Sequence, residues 1–395
     1  MMNFDKMTDF LHHLVDEYGI PTVDCSINYK GEEVYRYYYG EGISDKSLYN
    51  MYSATKPITA TAGLRLMEEG KFKLTDPVYE YIPEFKEMTV KKKIYTGGDG
   101  LKYATGNNPT GDELLEEKFE IVKAENPILV KDLFAMSAGF NYNTDIDGIK
   151  KRIDENNGRF ETAWIIDALK DEPLDFEPGT HWGYSLCHDV LAAFIERVSG
   201  KKYDEYVQEK IFDPLGMTDS TYKRTAEVEK RLAKQHRYYN CDNCAREIDN
   251  DNPYCFGEGY ASGGAGIISS VNDYSKFVRA MSMNGVTKDG YRILKPETIN
   301  LMKTNALNPE ALKDFNWEHL KGYGYGLGVR TMMHPELEGI KSVKGEFGWC
   351  GAGGAYVMID TDNQIGVFYA QQVMNNQEPY VHPRLRNITY SIFGF

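Results

Sequence analysis

The stretch Ser53-Ala54-Thr55-Lys56 decides how the rest of the chain is interpreted. A segment rich in aromatic residues precedes it, and the apolar run that follows predicts a helix. A serine and a lysine three residues apart at a helix start lie on one face, one turn apart. Pro57 fits this placement, because the first helical turn makes no use of the missing N–H. The stretch therefore brings an amine within reach of a hydroxyl.

This pair has the chemistry of an activated nucleophile. An amine whose charged form is disfavoured by burial, or by the positive end of a helix, can accept the serine proton and generate an alkoxide. The spacing alone is common by chance in protein sequences, so the interpretation depends on residues further along the chain.

Composition excludes several classes of partner. The 395 residues carry 45 basic and 59 acidic side chains, a net charge of −14, and no basic run is longer than the three residues of Lys91–Lys93. We therefore expect neither a nucleic acid nor an anionic membrane as a partner. The first 19 residues predict an amphipathic helix rather than a leader, and no apolar run reaches transmembrane length. A cytoplasmic location with six reduced cysteines follows as the expectation.

The order of predicted elements indicates an α/β (α+β) fold. Residues 22–29 and 34–39 predict a hairpin, and strand patterns return between residues 325 and 371, before a last helix predicted at Pro383 to Phe393. Residues 130–216 are mainly helical in pattern, and residues 88–95 and 118–123 predict two strands around a polar excursion at 96–117. Strands at both ends of the chain with helices between them suggest one antiparallel sheet with an inserted helical lobe.

Two further motifs could complete a catalytic site. Tyr184 precedes a predicted helix, and beside a lysine ammonium its pKa should fall, so that it could shuttle a proton. The segment Trp349-Cys350-Gly351-Ala352 lies on a glycine-rich strand whose backbone could approach a ligand closely. An N–H on that edge could join the N–H of the serine at position 53 in an oxyanion hole.

In this order, the three motifs resemble the serine β-lactamase and penicillin-binding protein superfamily. The likeness is closest to the class C β-lactamase branch, with its family VIII carboxylesterases and DD-peptidases, and it runs from about residue 20 to 375. Supporting segments are 133–139, 178–180, 214–217, 261–264 with 269, 270 and 273, and 324–326. The resemblance implies the β-lactamase/DD-peptidase fold as a single catalytic unit over residues 1–395. Its lobes would be 1–85 plus 222–395 (sheet) and 86–221 (mainly helical).

The resemblance also implies a role for each matching residue. Ser53 would be the acylated nucleophile, Lys56 its proton partner and Tyr184 the second acid or base, and the N–H groups of Ser53 and Ala352 would form the oxyanion hole. Whether Lys56 or Tyr184 takes the first proton stays open. The implied substrate contacts are Trp349, Cys350, Gly351, Leu186, Tyr260 and Tyr325. No metal or organic cofactor is expected.

Two departures from the family pattern affect the expected substrate. Leu186 stands where the family usually has an asparagine that holds the acyl side chain, and Trp349 and Cys350 replace a Lys or His and a Thr. The expected attraction for a substrate carboxylate is therefore missing, and tryptophan at this place is similar to the esterase-like relatives. We predict a serine hydrolase acting through an acyl-enzyme on small esters or amides. The alternatives are a D-amino-acid peptidase or amidase, a weak β-lactamase, or a non-catalytic penicillin-binding sensor.

Other motifs suggest competing interpretations. Residues 135–139 imitate the nucleophile elbow of α/β-hydrolases, but a helix rather than a strand is predicted before them. His188 and Asp189 are adjacent at a helix start, where helix capping by Asp189 explains them better than a catalytic triad. Gly97–Gly100 is a surface loop, because no Lys-Ser/Thr follows it. Four residues have the spacing of a structural zinc site, with reduced thiols on a polar loop as the alternative: His236, Cys241, Cys244 and Cys255.

Overall fold

A computed structural model gives the structure of residues 2–96, 102–103, 117–339 and 341–395. The strands are β1 (Thr22–Tyr29), β2 (Glu32–Gly40), β3 (Tyr49–Asn50), β4 (Thr89–Thr96), β5 (Lys102–Tyr103), β6 (Glu117–Lys123), β7 (His236–Tyr239), β8 (Cys244–Glu247), β9 (Ile268–Ser269), β10 (Tyr323–Tyr325), β11 (Arg330–Met332), β12 (Phe347–Gly348), β13 (Tyr356–Asp360), β14 (Ile365–Ala370) and β15 (Val373–Met374).

The α-helices of these residues are α1 (Asp5–Asp16), α2 (Thr55–Glu68), α3 (Val130–Ala135), α4 (Asp147–Glu155), α5 (Ile165–Leu169), α6 (Cys187–Ser199), α7 (Tyr203–Val207), α8 (Asp213–Leu215), α9 (Ala226–Arg231), α10 (Val271–Ser282), α11 (Pro296–Met302), α12 (Pro309–Asp314) and α13 (Glu378–Phe393). Among the helices so described, none is long and apolar enough to cross a membrane.

Both ends of the chain build the main sheet. Its seven strands follow the order β10-β11-β12-β13-β14-β1-β2 and pair antiparallel throughout. The N-terminal hairpin joins the C-terminal strands through β1 and β14, with Asp24 opposite Ala370. The predicted fold class, an antiparallel sheet made from the two termini and flanked by helices, is confirmed.

The sheet is buried on both faces. Successive side chains of a strand point to opposite faces, so β14 contributes to two cores. Val367 and Tyr369 pack with α1 and α13 on one face, whereas Phe368 belongs to the larger core on the other. The ring of Phe368 stacks on Tyr274 of α10 with centroids 4.2 Å apart. A strand covered on both sides is apolar along its whole length, as β14 is.

Helix α2 is the central helix of the larger core. Residues 55–64 are all buried, as expected of a helix that is covered on every side. It packs against α6, and Gly63 lets α3 approach closely, because a Cβ there would lie 2.7 Å from the ring of Phe134. The short pair β3–β9 fixes the chain just before this helix. The start of α2 is therefore held by surrounding elements.

Two details differ from expectation or fall outside the structure. The last helix begins at Glu378, five residues before Pro383, where the sequence predicts its start. Packing of Val381 and Leu385 in the core holds the turn despite the missing N–H of proline. Strands β4 and β6 pair as expected, but most of the predicted excursion, residues 97–101 and 104–116, lies outside the described residues.

Candidate active site

The turn that carries Ser53 is held in an unusual backbone conformation. Tyr52 has φ of +46°, in the left-handed region that bulky residues rarely adopt. Its phenol donates hydrogen bonds to Gln235 and to the carbonyl of Asp251, the latter at 3.3 Å. Strain of this kind persists where surrounding contacts fix it, and it clusters at functional sites. The turn from Tyr52 to Ala54 leads directly into α2 and presents Ser53 at its N-terminus.

Lys56 lies fully buried one turn behind Ser53. Its Nζ donates to Ser53 Oγ at 3.1 Å and to the carbonyl oxygen of Gly264 at 2.8 Å. Burial disfavours the ammonium form and lowers the pKa of Lys56 to about 7. A substantial fraction of this amine is therefore neutral near neutral pH and able to accept the serine proton.

Tyr184 meets the same hydroxyl from the helical lobe. Its ring centroid lies 4.6 Å from Lys56 Nζ, its oxygen accepts a 3.2 Å hydrogen bond from Trp349 Nε1, and it interacts with the Ser53 hydroxyl. The predicted fall of its pKa is wrong. Burial raises the pKa of Tyr184, and the hydrogen bonds from Ser53 and Trp349 offset only part of that effect. The phenol stays protonated, because a phenolate is disfavoured at this depth.

A second phenol, Tyr142, was missed by the sequence analysis. Its ring lies 5.2 Å from that of Tyr184 and 5.5 Å from Lys56 Nζ, and its phenol interacts with the Ser53 side chain. Burial raises the pKa of Tyr142 well above its ordinary value. In sequence it is one of 29 tyrosines, on a loop without a recognisable motif, so nothing marks it.

The strand edge after Trp349 packs directly against the chain before Ser53. A Cβ on Gly351 would lie 2.2 Å from the backbone oxygen of Met51, and one on Gly353 would lie 3.1 Å from the ring of Tyr52. Only glycine permits this approach. It places the half-buried Ala352 beside the nucleophile turn, as an oxyanion hole requires.

The backbone of this edge is itself fixed. Asn376 Nδ2 donates to the carbonyl oxygens of Gly351 and Ala352 at 3.0 and 3.1 Å. The Ala352 N–H has no acceptor among the residues that the structure describes. A rigid donor without a protein partner suits the stabilisation of a developing oxyanion.

Aromatic rings surround Trp349. The rings in contact with it belong to Tyr184, Phe315, Trp317 and Tyr325, at centroid distances of 5.7, 6.5, 6.0 and 5.1 Å. All four are uncharged. The structure thus brings the predicted residues Trp349 and Tyr325 together with Tyr184, and it adds two rings that the sequence analysis did not single out.

The other predicted contact residues face different partners. Leu186 is buried in the main core, and the Cys350 thiol donates to Glu378 Oε1 at 2.8 Å. The Tyr260 phenol donates to Asp189 at 2.8 Å. Their roles in substrate binding remain predictions.

Asp189 lies near Lys56 and does not cap a helix. The residue before α6 is Leu186, which makes no capping hydrogen bond, so the predicted capping role of Asp189 is wrong. The buried carboxylate accepts hydrogen bonds from Tyr260 and from Ser262 Oγ, the latter at 2.6 Å. These donors belong to the part of the chain that faces α6, and helix periodicity does not reveal this contact.

Asp189 also acts on Lys56 electrostatically. Asp189 Oδ2 and Lys56 Nζ both lie within 3.5 Å of the position that a Cβ on Gly264 would occupy. The carboxylate charge raises the pKa of Lys56 and so opposes the dominant effect of burial. His188 does not contribute to a triad, because its Nε2 lies 3.3 Å from the carbonyl oxygen of Phe134 within the core.

We expect Asp189→Asn to shift the pH dependence of catalysis. Without the negative charge, the pKa of Lys56 falls further, and the acidic limb of the pH–rate profile moves by about 1 unit to lower pH. Asparagine can still accept from Tyr260 and Ser262. The measurement is kcat/KM for an ester against pH. Asp132→Asn is the control, since Asp132 is another buried carboxylate and is not among the charges that act on Lys56. An unmoved limb would contradict the electrostatic role.

The predicted zinc residues do not converge. His236 lies on β7 opposite Glu247, and Cys244 on β8 opposite Tyr239. Cys241 and Cys255 are exposed. Within the described ranges, no three of the four bring ligand atoms within 4.8 Å of one another. The Cys-x-x-Cys spacing belongs here to the turn of a hairpin.

Comparisons with known proteins agree with this geometry. The family model described as Beta-lactamase matches residues 7–390. Protein Rv1367c of Mycobacterium tuberculosis is 27% identical over 334 residues, which cover 82% of this chain and 77% of that protein. Lovastatin esterase of Penicillium rubens is 27% identical over 327 residues, which cover 78% of this chain and 72% of that protein. The solved structure of EstCE1, described as a hydrolase with promiscuous acyltransferase activity, superposes with a TM-score of 0.74 at 20% identity, covering 99% and 98%.

Proposed function

Because the chain belongs to the Beta-lactamase family, we propose that it is a serine hydrolase that forms an acyl-enzyme at Ser53. The observation that carries the proposal is the buried amine of Lys56, 3.1 Å from Ser53 Oγ, with its pKa lowered to about 7. A hydroxyl becomes a useful nucleophile when a neutral base lies within hydrogen-bond reach. No other role explains the burial of a lysine at this place so directly.

The proposed acylation begins at the Ser53 hydroxyl. Lys56 Nζ takes its proton as Oγ bonds to the carbonyl carbon of the substrate. The N–H groups of Ser53 and Ala352 stabilise the negative charge on the carbonyl oxygen. Lys56 is the better first base, because its neutral form is populated near pH 7 whereas burial keeps the Tyr184 phenol protonated.

Tyr184 then acts on the leaving group as a general acid. Its phenol gives a proton to the departing alkoxide, and the proton that Lys56 has gained returns to the phenol. Lys56 Nζ lies 4.6 Å from the Tyr184 ring centroid, and this contact between the two side chains supports the transfer. Water hydrolyses the acyl-enzyme in the second half of the cycle, with the same groups acting in reverse.

The rings around Trp349 favour an uncharged acyl group. An apolar, aromatic surface stabilises aliphatic or aromatic acyl chains by burial. A carboxylate placed there would lose hydration without gaining a partner. The name of the related lovastatin esterase also indicates an ester as its substrate. We therefore propose small neutral esters as the preferred substrate class.

We expect a neutral ester to be hydrolysed faster than its acidic counterpart. A matched pair is p-nitrophenyl butyrate and the mono-p-nitrophenyl ester of succinic acid, which have acyl chains of equal length. An unpaired buried polar group costs about 1–3 kcal/mol, so kcat/KM should favour the butyrate at least about tenfold. Release of p-nitrophenol measures both. Equal or reversed preference would mean that a cation reaches the acyl chain and that the substrate class is wrong.

A covalent probe tests the proposed nucleophile itself. Incubation with a fluorophosphonate, followed by peptide mass spectrometry, should place the adduct on the peptide that contains Ser53. The proposal requires both this adduct and multiple turnovers of p-nitrophenyl butyrate. An adduct without turnover would indicate a sensor protein that is acylated and not released. An adduct elsewhere, with Ser53 unmodified, would overturn the proposal.

A further inference from the structure

A second cluster of reactive side chains lies behind the oxyanion edge. The thiol of Cys350, the carboxylate of Glu378 and the imidazole of His382 bring ligand atoms within 4.8 Å of one another. In the described part of the chain, this is the group of His, Cys and acidic residues that meets such a distance. The proposed hydrolysis uses none of these side chains.

One oxygen of Glu378 is the centre of the cluster. Its Oε1 lies 2.8 Å from Cys350 Sγ, 3.1 Å from His319 Nε2 and 3.6 Å from His382 Nδ1. The thiol and the two imidazoles thus approach this oxygen from three segments: the strand edge, the first turns of α13, and the short turn Glu318–Leu320. Side chains that converge in this way from separate segments are typical of a ligand site.

The cluster is incompletely satisfied without a ligand. His382 is 3% exposed, and no described atom forms a hydrogen bond with its Nε2. The other ring nitrogen, Nδ1, faces Glu378 Oε1 at 3.6 Å. A buried polar atom without a partner costs about 1–3 kcal/mol and requires an explanation.

We propose that Cys350, Glu378 and His382 form a Zn²⁺ site behind the oxyanion edge, with a water molecule completing a set of four ligands and His319 holding Glu378 from outside the set. Sulfur, imidazole nitrogen and carboxylate oxygen in a set of four are the ligands that zinc takes in proteins. A thiolate in the set disfavours Mg²⁺ and Ca²⁺, which select oxygen ligands. The Glu378 and His319 side chains keep 19% and 18% exposure, which gives an ion a path into the site.

The charges and protons of the site balance on binding. Zn²⁺ replaces the thiol proton of Cys350, and that proton passes to solvent. Thiolate and carboxylate together then neutralise the ion, while the His382 imidazole binds uncharged. Binding therefore releases about one proton per zinc, since the other ligands need lose none.

Cobalt provides a direct spectroscopic test on the wild-type protein. Co²⁺ in a site with a thiolate ligand gives an intense near-ultraviolet charge-transfer band, which ligands without sulfur do not produce. We expect one Co²⁺ per chain with this band, displaced stoichiometrically by Zn²⁺. Titration calorimetry in buffers of different ionisation enthalpy should report release of about one proton. Absence of the band at stoichiometric Co²⁺ would overturn the proposal.

Variants locate the ion and exclude the loop cysteines. Cys350→Ser should abolish the band, and His382→Gln should weaken zinc binding at least about 100-fold, beyond the usual effect of an outer-shell change. The matched control replaces Cys241 and Cys244 by serine and should leave both readouts unchanged. If the control lost the band and zinc binding while Cys350→Ser kept them, the ion would belong to the hairpin turn and the proposal would be overturned. Melting temperatures establish whether each variant is folded. If Cys350→Ser does not fold, the result with His382→Gln decides.

Discussion

Ser53→Ala is expected to lower kcat/KM for p-nitrophenyl butyrate at least about 10⁴-fold, the scale on which removal of a serine nucleophile acts. Ser53 is the hydroxyl to which the buried amine of Lys56 donates at 3.1 Å, so the variant leaves the base without a group to activate. Residual hydrolysis would come from the oxyanion donors and binding alone. Loss of fluorophosphonate labelling should accompany loss of turnover.

Ser137→Ala is the matched control for this experiment. Ser137 lies in the segment that imitates a nucleophile elbow, but the structure places it just after α3, where its hydroxyl donates to Asp132 at 2.8 Å. The variant should keep near-wild-type turnover once folding is checked by thermal melting. If Ser137→Ala were inactive and Ser53→Ala active, the nucleophile would be misassigned.

Lys56→Ala is expected to lower ester turnover at least about 100-fold, the lower end for a general base. In the proposed mechanism, only the neutral amine accepts the serine proton. With the pKa of Lys56 lowered to about 7, kcat/KM should rise with pH through about 7 and level off above it. Below that value it should fall about tenfold per unit, because the ammonium form increases by that factor. The variant should lose this limb of the profile.

Lys56→Arg separates charge from proton transfer. Arginine keeps a cation at the site but does not deprotonate in proteins, so this variant should be as inactive as Lys56→Ala. Near-normal turnover in either variant would show that Tyr184 takes the first proton instead. A limb near pH 7 that persists without Lys56 would assign that titration to another group.

Local pattern was sufficient for the first half of the site. The spacing of Ser53 and Lys56 depends only on helical periodicity, and the structure shows the contact that this spacing predicts. The order of Tyr184 and the glycine-rich edge at 349–352 led to the family resemblance, which the family model and the fold confirm. These features lie within short stretches, where sequence and geometry correspond directly.

The remaining features depend on tertiary packing. The pKa of Tyr184 rises because its surroundings in the fold exclude water from it, which no neighbour in sequence reveals. Asp189 faces a loop more than 70 residues away, so its helix-start position suggested a cap instead. The hairpin cysteines have the spacing of a zinc motif, but their side chains do not converge with the other predicted ligands. Spacing alone does not fix where side chains point. In each case, burial or direction decided the outcome.

The close contact between Gly351 and Met51 joins parts of the chain that are synthesised far apart in time. Until the last strands dock, a nascent polypeptide has a serine and an amine but no completed pocket for a tetrahedral intermediate. Reactivity towards an acylating probe should therefore switch on only at the final assembly step. Labelling by such a probe would report the end of folding, and a prematurely released chain should not react with it.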